Sequence, residues 1–213
     1  DTLVVLAEDA AAPWSFADGS GYANDVVRAA YAAAGVPVRL EVVPYARAKQ
    51  QTLTGAAVAC FSMSWSPEFA GRIDFSKAPL YTCQADYYED ARRPLRVARE
   101  ADLTRPIRVG VVVGYEYPES FERLRAKGLI RVDPCPSEVS SLRKLAAGRI
   151  DAALINHNDV KTLEFLTKNA GLHADFRLSM RSGPLDSFIG FSRRHPKGAW
   201  ARERFDAGFR TIA

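Results

Sequence analysis

Aromatic side chains and an arginine follow two apolar runs in the first part of the chain. Trp14 and Phe16 lie in a proline-containing loop, where an aromatic ring could stack on a ligand, cap the sheet or face the core. Arg47 follows Tyr45 at the start of a helical pattern, and its charged, forked guanidinium suits a carboxylate or phosphate. The alternative for Arg47 is a solvated surface arginine near Glu41.

A serine-containing turn follows the next apolar run. Hydroxyl groups and free backbone N–H groups in Ser64-Trp65-Ser66 could hold an anion, and Trp65 could form a pocket wall. Ser66 and the following Pro67 and Glu68 equally match a helix N-cap, a first-turn proline and a first-turn acid. Both interpretations remain open.

The second half of the chain repeats this arrangement. Gly114-Tyr115-Glu116-Tyr117 follows an apolar run and precedes a helical pattern, so its backbone amides could point at an anion, and the glycine permits close approach. Either Tyr115 or Tyr117 could close over a ligand while the other packs. Asn156 ends a later apolar run and is expected to face the site, whereas His157 is expected at the surface.

No catalytic or metal-binding constellation is visible in the sequence. The cysteines and histidines show no ligand spacing, so neither a metal nor another cofactor is expected. Free thiols are expected, because a Cys60–Cys135 bridge would lock the two predicted lobes together, although a Cys60–Cys83 bridge stays possible if their Cα atoms lie within about 7 Å. Catalysis would need a carboxylic acid or histidine with a displaced pKa inside the predicted site, and only three acids can be placed near it. These acids are Glu8, Asp9 and Glu116.

Composition indicates an ordinary globular protein. The 213 residues are 47% hydrophobic and 25% charged, with a net charge of +4. Basic residues are scattered rather than gathered on one face, which argues against a nucleic-acid partner. No apolar run approaches the length of a membrane-spanning helix. The sequence begins at Asp1 without an initiator methionine, which fits either a removed signal peptide or an artificial start.

Hydrophobic periodicity predicts two successive series of alternating strands and helices, followed by one more strand and helix. The predicted strands are 2–7, 38–43, 56–63, 107–113, 130–132, 150–155 and 187–191. The predicted helices are 24–34, 45–53, 120–127, 137–147 and 200–210.

This order of elements predicts an α/β protein with two lobes built alike. The final strand and helix are too little for an independent unit, so they should return to the first lobe. The predicted lobes are residues 1–86 with 184–213, and residues 87–183. Residues 91–106, which contain two X-Pro bonds, are the predicted connection, and two chain crossings would form a hinge.

Five segments together resemble the periplasmic solute-binding proteins of the polar amino-acid type, extracellular solute-binding protein family 3, which serve bacterial ABC importers. The resemblance covers nearly the whole chain and rests on the order and spacing of these segments. They are residues 12–22, 44–48, 64–80, 109–117 and 145–153.

The resemblance implies a type II periplasmic-binding-protein fold: two lobes, a mixed five-stranded sheet flanked by helices in each, a two-strand hinge and a ligand in the cleft. It also implies an exported, periplasmic or extracytoplasmic monomer that delivers its ligand to a membrane permease. Ligands in α/β sheets lie beyond the carboxyl ends of the strands, so the following loops should line the cleft. Those loops come after Leu6, Val43, Met63, Val113 and Ile155.

Two departures from the family pattern bear on the ligand. The family's amino-acid binders usually have an arginine for the α-carboxylate where this chain has Phe69, and an aspartate for the α-ammonium where it has Asn156. Arg72, three residues beyond Phe69, could compensate only if the local backbone differs. We therefore expect no binding of free α-amino acids through the usual ionic clamp.

The leading hypothesis is a binding protein that captures a small anionic or polar organic molecule and does no chemistry on it. One alternative is a periplasmic sensory module of the same fold. Another is an enzyme resembling cyclohexadienyl dehydratase, which a turnover assay with prephenate or arogenate would detect.

Overall fold

The computed structural model describes residues 2–213, which form eleven strands, six α-helices and two short 3₁₀ helices. The strands are β1 Leu3–Glu8, β2 Ala10–Ala11, β3 Ser15–Phe16, β4 Val38–Val43, β5 Ala59–Met63, β6 Ile73–Phe75, β7 Tyr81–Asp90, β8 Ile107–Val112, β9 Ile130–Cys135, β10 Ala152–His157 and β11 Phe176–Ser192. The helices are α1 Tyr22–Ala33, α2 Tyr45–Thr54, α3 Glu119–Ala126, α4 Glu138–Ala146, α5 Leu163–Asn169 and α6 Gly198–Ile212. The 3₁₀ helices are Pro67–Phe69 and Glu100–Asp102.

The chain divides into two compact units. Unit 1 contains residues up to Thr82 together with Asp186–Ala213, and unit 2 is Cys83–Leu185. Both changes of unit fall inside long strands, β7 and β11, so the chain crosses between the units twice.

Unit 1 is built on a mixed sheet. Its strand order is β4-β1-β5-β11, and β6 pairs with the other side of β11. The first three strands are parallel, and β11 runs antiparallel to β5. The helices α1 and α6 pack together, with Tyr31 of α1 against Phe205 of α6 at 5.7 Å between ring centroids. Gly208 lets α6 approach the carbonyl of Ala30 on α1.

Unit 2 has a similar plan. Strands β9, β8 and β10 are parallel, and β7 pairs antiparallel with β10. The helices α3, α4 and α5 contribute Phe121, Leu142 and Leu166 to its buried core. Ser137 caps α4 by accepting a hydrogen bond from the Ser140 N–H at 3.2 Å.

The segment predicted as the connection lies inside unit 2. Residues 91–106 pack against its sheet, with Leu95 and Leu103 buried in the core. Glu100 fixes the segment further, because its carboxylate accepts hydrogen bonds from Tyr87 and Ser182 at 2.9 and 2.8 Å. The two proline-containing ends indicated a linker, but the buried leucines between them make this segment part of the unit.

The returning tail places its elements in unit 1, where β11 pairs with β5 and α6 packs on α1. The predicted boundaries between the two lobes, after residue 86 and after residue 183, remain a prediction about which parts of the chain move together. Within residues 2–213, no helix combines the length and apolar character needed to cross a membrane.

Candidate functional site

The candidate residues of unit 1 follow the carboxyl ends of its parallel strands. In the register of the sheet, Glu8 at the end of β1 lies beside Val43 at the end of β4, and Leu6 lies beside Cys60 of β5. The loops after β1, β4 and β5 therefore leave the sheet at one edge, where α/β proteins usually bind ligands.

Trp14 is a packing residue as well as a candidate. Its side chain is 7% exposed, and its ring stacks on Tyr81 with centroids 4.1 Å apart and an interplanar angle of 5°. Tyr22 meets it edge-on at 6.2 Å. The indole Nε1 is buried and has no hydrogen-bond partner within residues 2–213. Phe16, on the adjoining β2–β3 hairpin, is 38% exposed.

Arg47 lies exposed in the first turn of α2. Its guanidinium forms no ion pair with any of residues 2–213. On the same helix, Lys49 is bound instead, with its Nζ 3.0 Å from Glu68 and 5.6 Å from the ring centre of Phe69. Arg47 therefore keeps its donors available at this edge of unit 1.

One residue of β5, just before the serine turn, is strained. Ser62 has a φ of +65°, which is uncommon for a residue with a side chain, and its hydroxyl is buried without a partner in the described chain. Such strain persists where the surroundings hold it, often at functional sites. Ser64 is buried and Trp65 is 64% exposed. Ser66 precedes the 3₁₀ helix, but its hydroxyl makes no capping hydrogen bond.

Phe69 and Arg72 lie on either side of the turn that follows. Phe69 is 1% exposed and packs against Phe75 at 5.9 Å between ring centroids, so this position offers no polar group. Arg72 is half-buried, and its Nε is buried without a hydrogen-bond partner among residues 2–213. Arg72 lies at the amino-terminal edge of the sheet, because the adjacent Ile73 pairs with Ser192 and the Arg72 carbonyl accepts from the Arg193 N–H beyond the end of β11. It therefore does not replace the arginine that is missing at Phe69 on the carboxyl edge.

The loop after β8 in unit 2 separates the two predicted tyrosines. Gly114 has a φ of +86°, which suits glycine. The Tyr117 hydroxyl accepts a hydrogen bond from the Val112 N–H at 2.8 Å, and its ring packs on Phe121 at 5.1 Å. Burial raises the pKa of Tyr117 well above its usual value, so it stays a neutral core residue. Tyr115 is only half-buried.

Asn156, the second-last residue of β10, lies beside a buried ion pair. Its backbone N–H donates to Glu138 Oε1 at 2.8 Å, and the other Glu138 oxygen pairs with Lys161. The side chains of Glu138 and Lys161 are 5% and 3% exposed. The Asn156 Oδ1 is buried, and none of residues 2–213 donates to it. Burial raises the pKa of the neighbouring Cys83 thiol to about 12.

His157 is not a free surface histidine, contrary to the prediction. Its Nε2 lies 2.9 Å from Asp86 Oδ2, and its side chain is 23% exposed. Asp86 is 1% exposed and lies on β7, which pairs with β10. The His157 ring therefore contacts a buried carboxylate on the neighbouring strand. That partner is remote in sequence and gave no local signal.

In each unit, therefore, most predicted residues gather at the carboxyl edge of the sheet. In unit 1 the edge carries Trp14, Phe16, Arg47, Ser64, Trp65 and Ser66, and in unit 2 it carries Gly114, Tyr115, Tyr117 and Asn156. Ser62 was missed, because serine has no sequence signal for a positive φ. No group of three or more potential metal ligands occurs within residues 2–213.

Neither a protein-family model nor a curated protein sequence matches this chain. Solved structures do. A histidine kinase sensor domain with similarity to periplasmic binding proteins superposes with a TM-score of 0.81 at 20% identity, covering 99% of this chain and 90% of that one.

Two further structures show the same likeness. The holo form of ArgBP from T. maritima gives a TM-score of 0.78 at 18% identity, covering 99% of this chain and 89% of that one. The GluR0 ligand-binding core from Nostoc punctiforme, in complex with L-glutamate, gives 0.77 at 16% identity, covering 99% and 92%. The chain therefore has the two-lobed α/β fold of periplasmic binding proteins, with a mixed sheet flanked by helices.

Proposed function

We propose that this protein is an extracytoplasmic solute-binding protein of family 3 that captures a small organic molecule between its two lobes for an ABC importer. In this proposal units 1 and 2 act as the lobes, and strands β7 and β11 act as the hinge. It is exported, works as a monomer and docks on a membrane permease.

The observation that carries the proposal is a pair of buried polar atoms without partners, one at the carboxyl end of a parallel strand in each unit. Ser62 Oγ near the end of β5 in unit 1 and Asn156 Oδ1 near the end of β10 in unit 2 lack hydrogen-bond partners within residues 2–213. Leaving such a group unsatisfied costs about 1–3 kcal/mol. A ligand that pairs with these atoms recovers this free energy, which favours binding as the role of the site.

The same atoms indicate the class of ligand. Arg47 can donate to an anionic group, Asn156 Oδ1 accepts from an N–H or O–H group, and Trp65 offers an exposed ring. Phe69 and the neutral Asn156 supply neither charge of an amino-acid clamp. A carboxylate, sulfonate or phosphonate with a hydrogen-bond donor and a flat or apolar body fits this set better than a zwitterion.

A thermal-shift screen over carboxylates, sulfonates, phosphonates, amines and amino acids tests this proposal, followed by calorimetric titration of the hits. A ligand at a hundred times its Kd should stabilise the folded protein by about 2.7 kcal/mol. Arg47→Ala and Asn156→Leu should each weaken binding about tenfold or more, from the loss of one hydrogen bond that is charge-assisted or buried. Arg39→Ala, at an exposed arginine paired with Glu41, is the control.

Submicromolar binding of a common amino acid, unchanged in Arg47→Ala and Asn156→Leu, would contradict the proposed ligand class. Failure of every compound to stabilise the protein would contradict the binding role. Uptake of an identified ligand should fall when the gene is deleted, which connects binding with transport.

A sensory module is the second candidate, because the sensor domain of a histidine kinase superposes with a TM-score of 0.81. A deletion that leaves ligand uptake intact but abolishes a ligand-dependent transcriptional response would favour this role. Turnover of prephenate or arogenate would instead favour an enzyme.

A further inference from the structure

A cavity of about 240 Å³ opens on unit 2, away from the candidate ligand residues. Asp151, at its rim, lies one residue before β10, whereas Asn156 lies near the other end of that strand. Five residues of extended chain span about 17 Å. The cavity therefore lies at the amino-terminal edge of the sheet, opposite the edge at which α/β proteins usually bind ligands.

Arg93 is held firmly at the wall of this cavity. Its Nη2 donates to Asp90 Oδ2 at 2.8 Å and to the carbonyl oxygens of Leu145 and Ala146, at the end of α4, at 2.7 and 3.1 Å. Gly148 makes room for it, because a Cβ there would lie 2.3 Å from Arg93 Nη1. These bonds use only Nη2, so Nε and Nη1 remain as donors.

The carboxylates around the cavity are already neutralised. Asp90 is bound by Arg92 as well as Arg93, and the Arg92 hydrogen bond lowers the pKa of the Asp90 carboxyl to about 2. Asp151 accepts from the backbone N–H of Arg108 at 2.7 Å and faces its guanidinium at 3.4 Å.

Arg105 completes the charge balance. It lines the cavity and is exposed, and it has no hydrogen bond or ion pair with any of residues 2–213. The guanidinium groups at or beside the cavity outnumber the carboxylates by two, which leaves two positive charges in excess. The guanidinium groups are those of Arg92, Arg93, Arg105 and Arg108, and the carboxylates are those of Asp90 and Asp151. Buried Leu95 and Ile150 form apolar wall on the protein side, where charge interactions are less screened than in open water.

We propose that this cavity is a second binding site, independent of the solute site, that takes a phosphate group between Arg93 and Arg105. A phosphate has the double negative charge that the excess requires, and its oxygens match the planar fork of an arginine. The group could belong to free inorganic phosphate or to a lipid headgroup, because both present the same oxygens.

Titration with inorganic phosphate at constant ionic strength, followed by ¹H–¹⁵N NMR, tests the site. Amide signals of the non-proline residues within 91–95, 105–108 and 148–151 should shift and saturate together. Arg105→Ala should weaken binding about tenfold, the loss expected for a charge-assisted hydrogen bond. Arg123→Ala, which removes an exposed arginine from α3 in the same unit, should leave binding unchanged.

Co-sedimentation with phosphatidylcholine vesicles, with and without phosphatidic acid, distinguishes the two sources. Binding to phosphatidic acid vesicles that Arg105→Ala weakens assigns the site to a headgroup, and binding of inorganic phosphate alone assigns it to a free ion. Absence of both, or equal effects of Arg105→Ala and Arg123→Ala, would overturn the proposal. Circular dichroism of each variant verifies folding.

Discussion

Replacement of Lys161 by methionine should destabilise the protein by about 3–5 kcal/mol, because it leaves the Glu138 carboxylate buried without its counter-charge. In the native protein Lys161 pairs with Glu138, and the two side chains are only 3% and 5% exposed. Water therefore cannot replace the lost ammonium group without opening the start of α4.

The magnitude follows from what remains around Glu138. Its other oxygen still accepts the Asn156 N–H at 2.8 Å, and a hydrogen bond to a charged group contributes about 1.5–3 kcal/mol. This contact compensates for part of the desolvation of the carboxylate but supplies no full positive charge. Methionine is about as long as lysine without its ammonium, so little of the loss comes from packing.

Urea unfolding at pH 7, monitored by circular dichroism, measures the loss. The double variant Glu138→Gln/Lys161→Met is the matched control, because it removes both charges and keeps an oxygen for the Asn156 N–H. It should recover most of the stability. Arg123→Met, which breaks an exposed ion pair with Glu119, should cost less than about 1 kcal/mol. A single variant within 1 kcal/mol of wild type, or a double variant as unstable as the single, would refute the reasoning.

Three further predictions concern packing, pH and thiol reactivity. Gly208→Ala should destabilise unit 1 by about 2 kcal/mol or more, because its Cβ would lie 1.8 Å from the Ala30 carbonyl oxygen. This overpacking costs more than the better helix propensity of alanine contributes. Gly183→Ala, whose Cβ would meet nothing closer than 3.8 Å, is the control, and equal melting temperatures for the two variants would contradict the prediction. Asp90→Asn should cost about 1–2 kcal/mol at pH 7, because Asp90 has its pKa lowered from 3.8 to about 2. That stabilisation is complete above the unfolded pKa and is lost as the pH falls through 2, so acid unfolding curves of variant and wild type should converge there, and a constant difference would exclude this origin. Cys83, with a pKa of about 12 and a buried side chain, should resist iodoacetamide at pH 8 in the native protein and react in urea, and rapid native labelling detected by mass spectrometry would show that the thiol is accessible.

Strands and helices with a clear periodicity of apolar residues could be predicted from the sequence. Strands whose buried positions carry polar or charged residues could not. Residues 38–43 form a strand as predicted, because branched residues alternate there and few other conformations suit them. β7 was missed, since it carries Asp86, Glu89 and Asp90 in buried positions. Each of these carboxylates has a partner from another segment or from the following turn, and the strand sequence gives no sign of these partners.

β9 extends to Cys135 although only 130–132 was predicted. Pro134 suggested an end to the strand, but β9 pairs on one side only, with β8, and an edge strand tolerates a residue without an N–H. β11 was predicted only around Ile189, because the Gly183-Pro184 pair interrupts its pattern.

The candidate site shows the same division. Strand ends indicated where Arg47, Ser64 and Asn156 would lie, since the carboxyl edge follows from the order of strands alone. Tyr117 rather than Tyr115 packs in the core, because its hydroxyl accepts a hydrogen bond from the Val112 N–H. No rule of residue spacing predicts this contact. The strain at Ser62 likewise arises from the fold around it.

The positions where the chain leaves and re-enters unit 1 have a consequence for protein engineering. Thr82 and Asp186 are joined by a side-chain hydrogen bond of 2.6 Å, and the Leu80 N–H donates to the Ser187 carbonyl at 2.7 Å. Topologically, residues 83–185 are thus an insertion into a hairpin position of unit 1. Replacing that insertion with a two-residue Asn-Gly turn would rejoin the flanking strands at almost no cost in loop-closure entropy. Unit 1 can therefore be made as one contiguous polypeptide, whereas ending the chain at either crossing removes both the β11 strand and the α6 helix from its core.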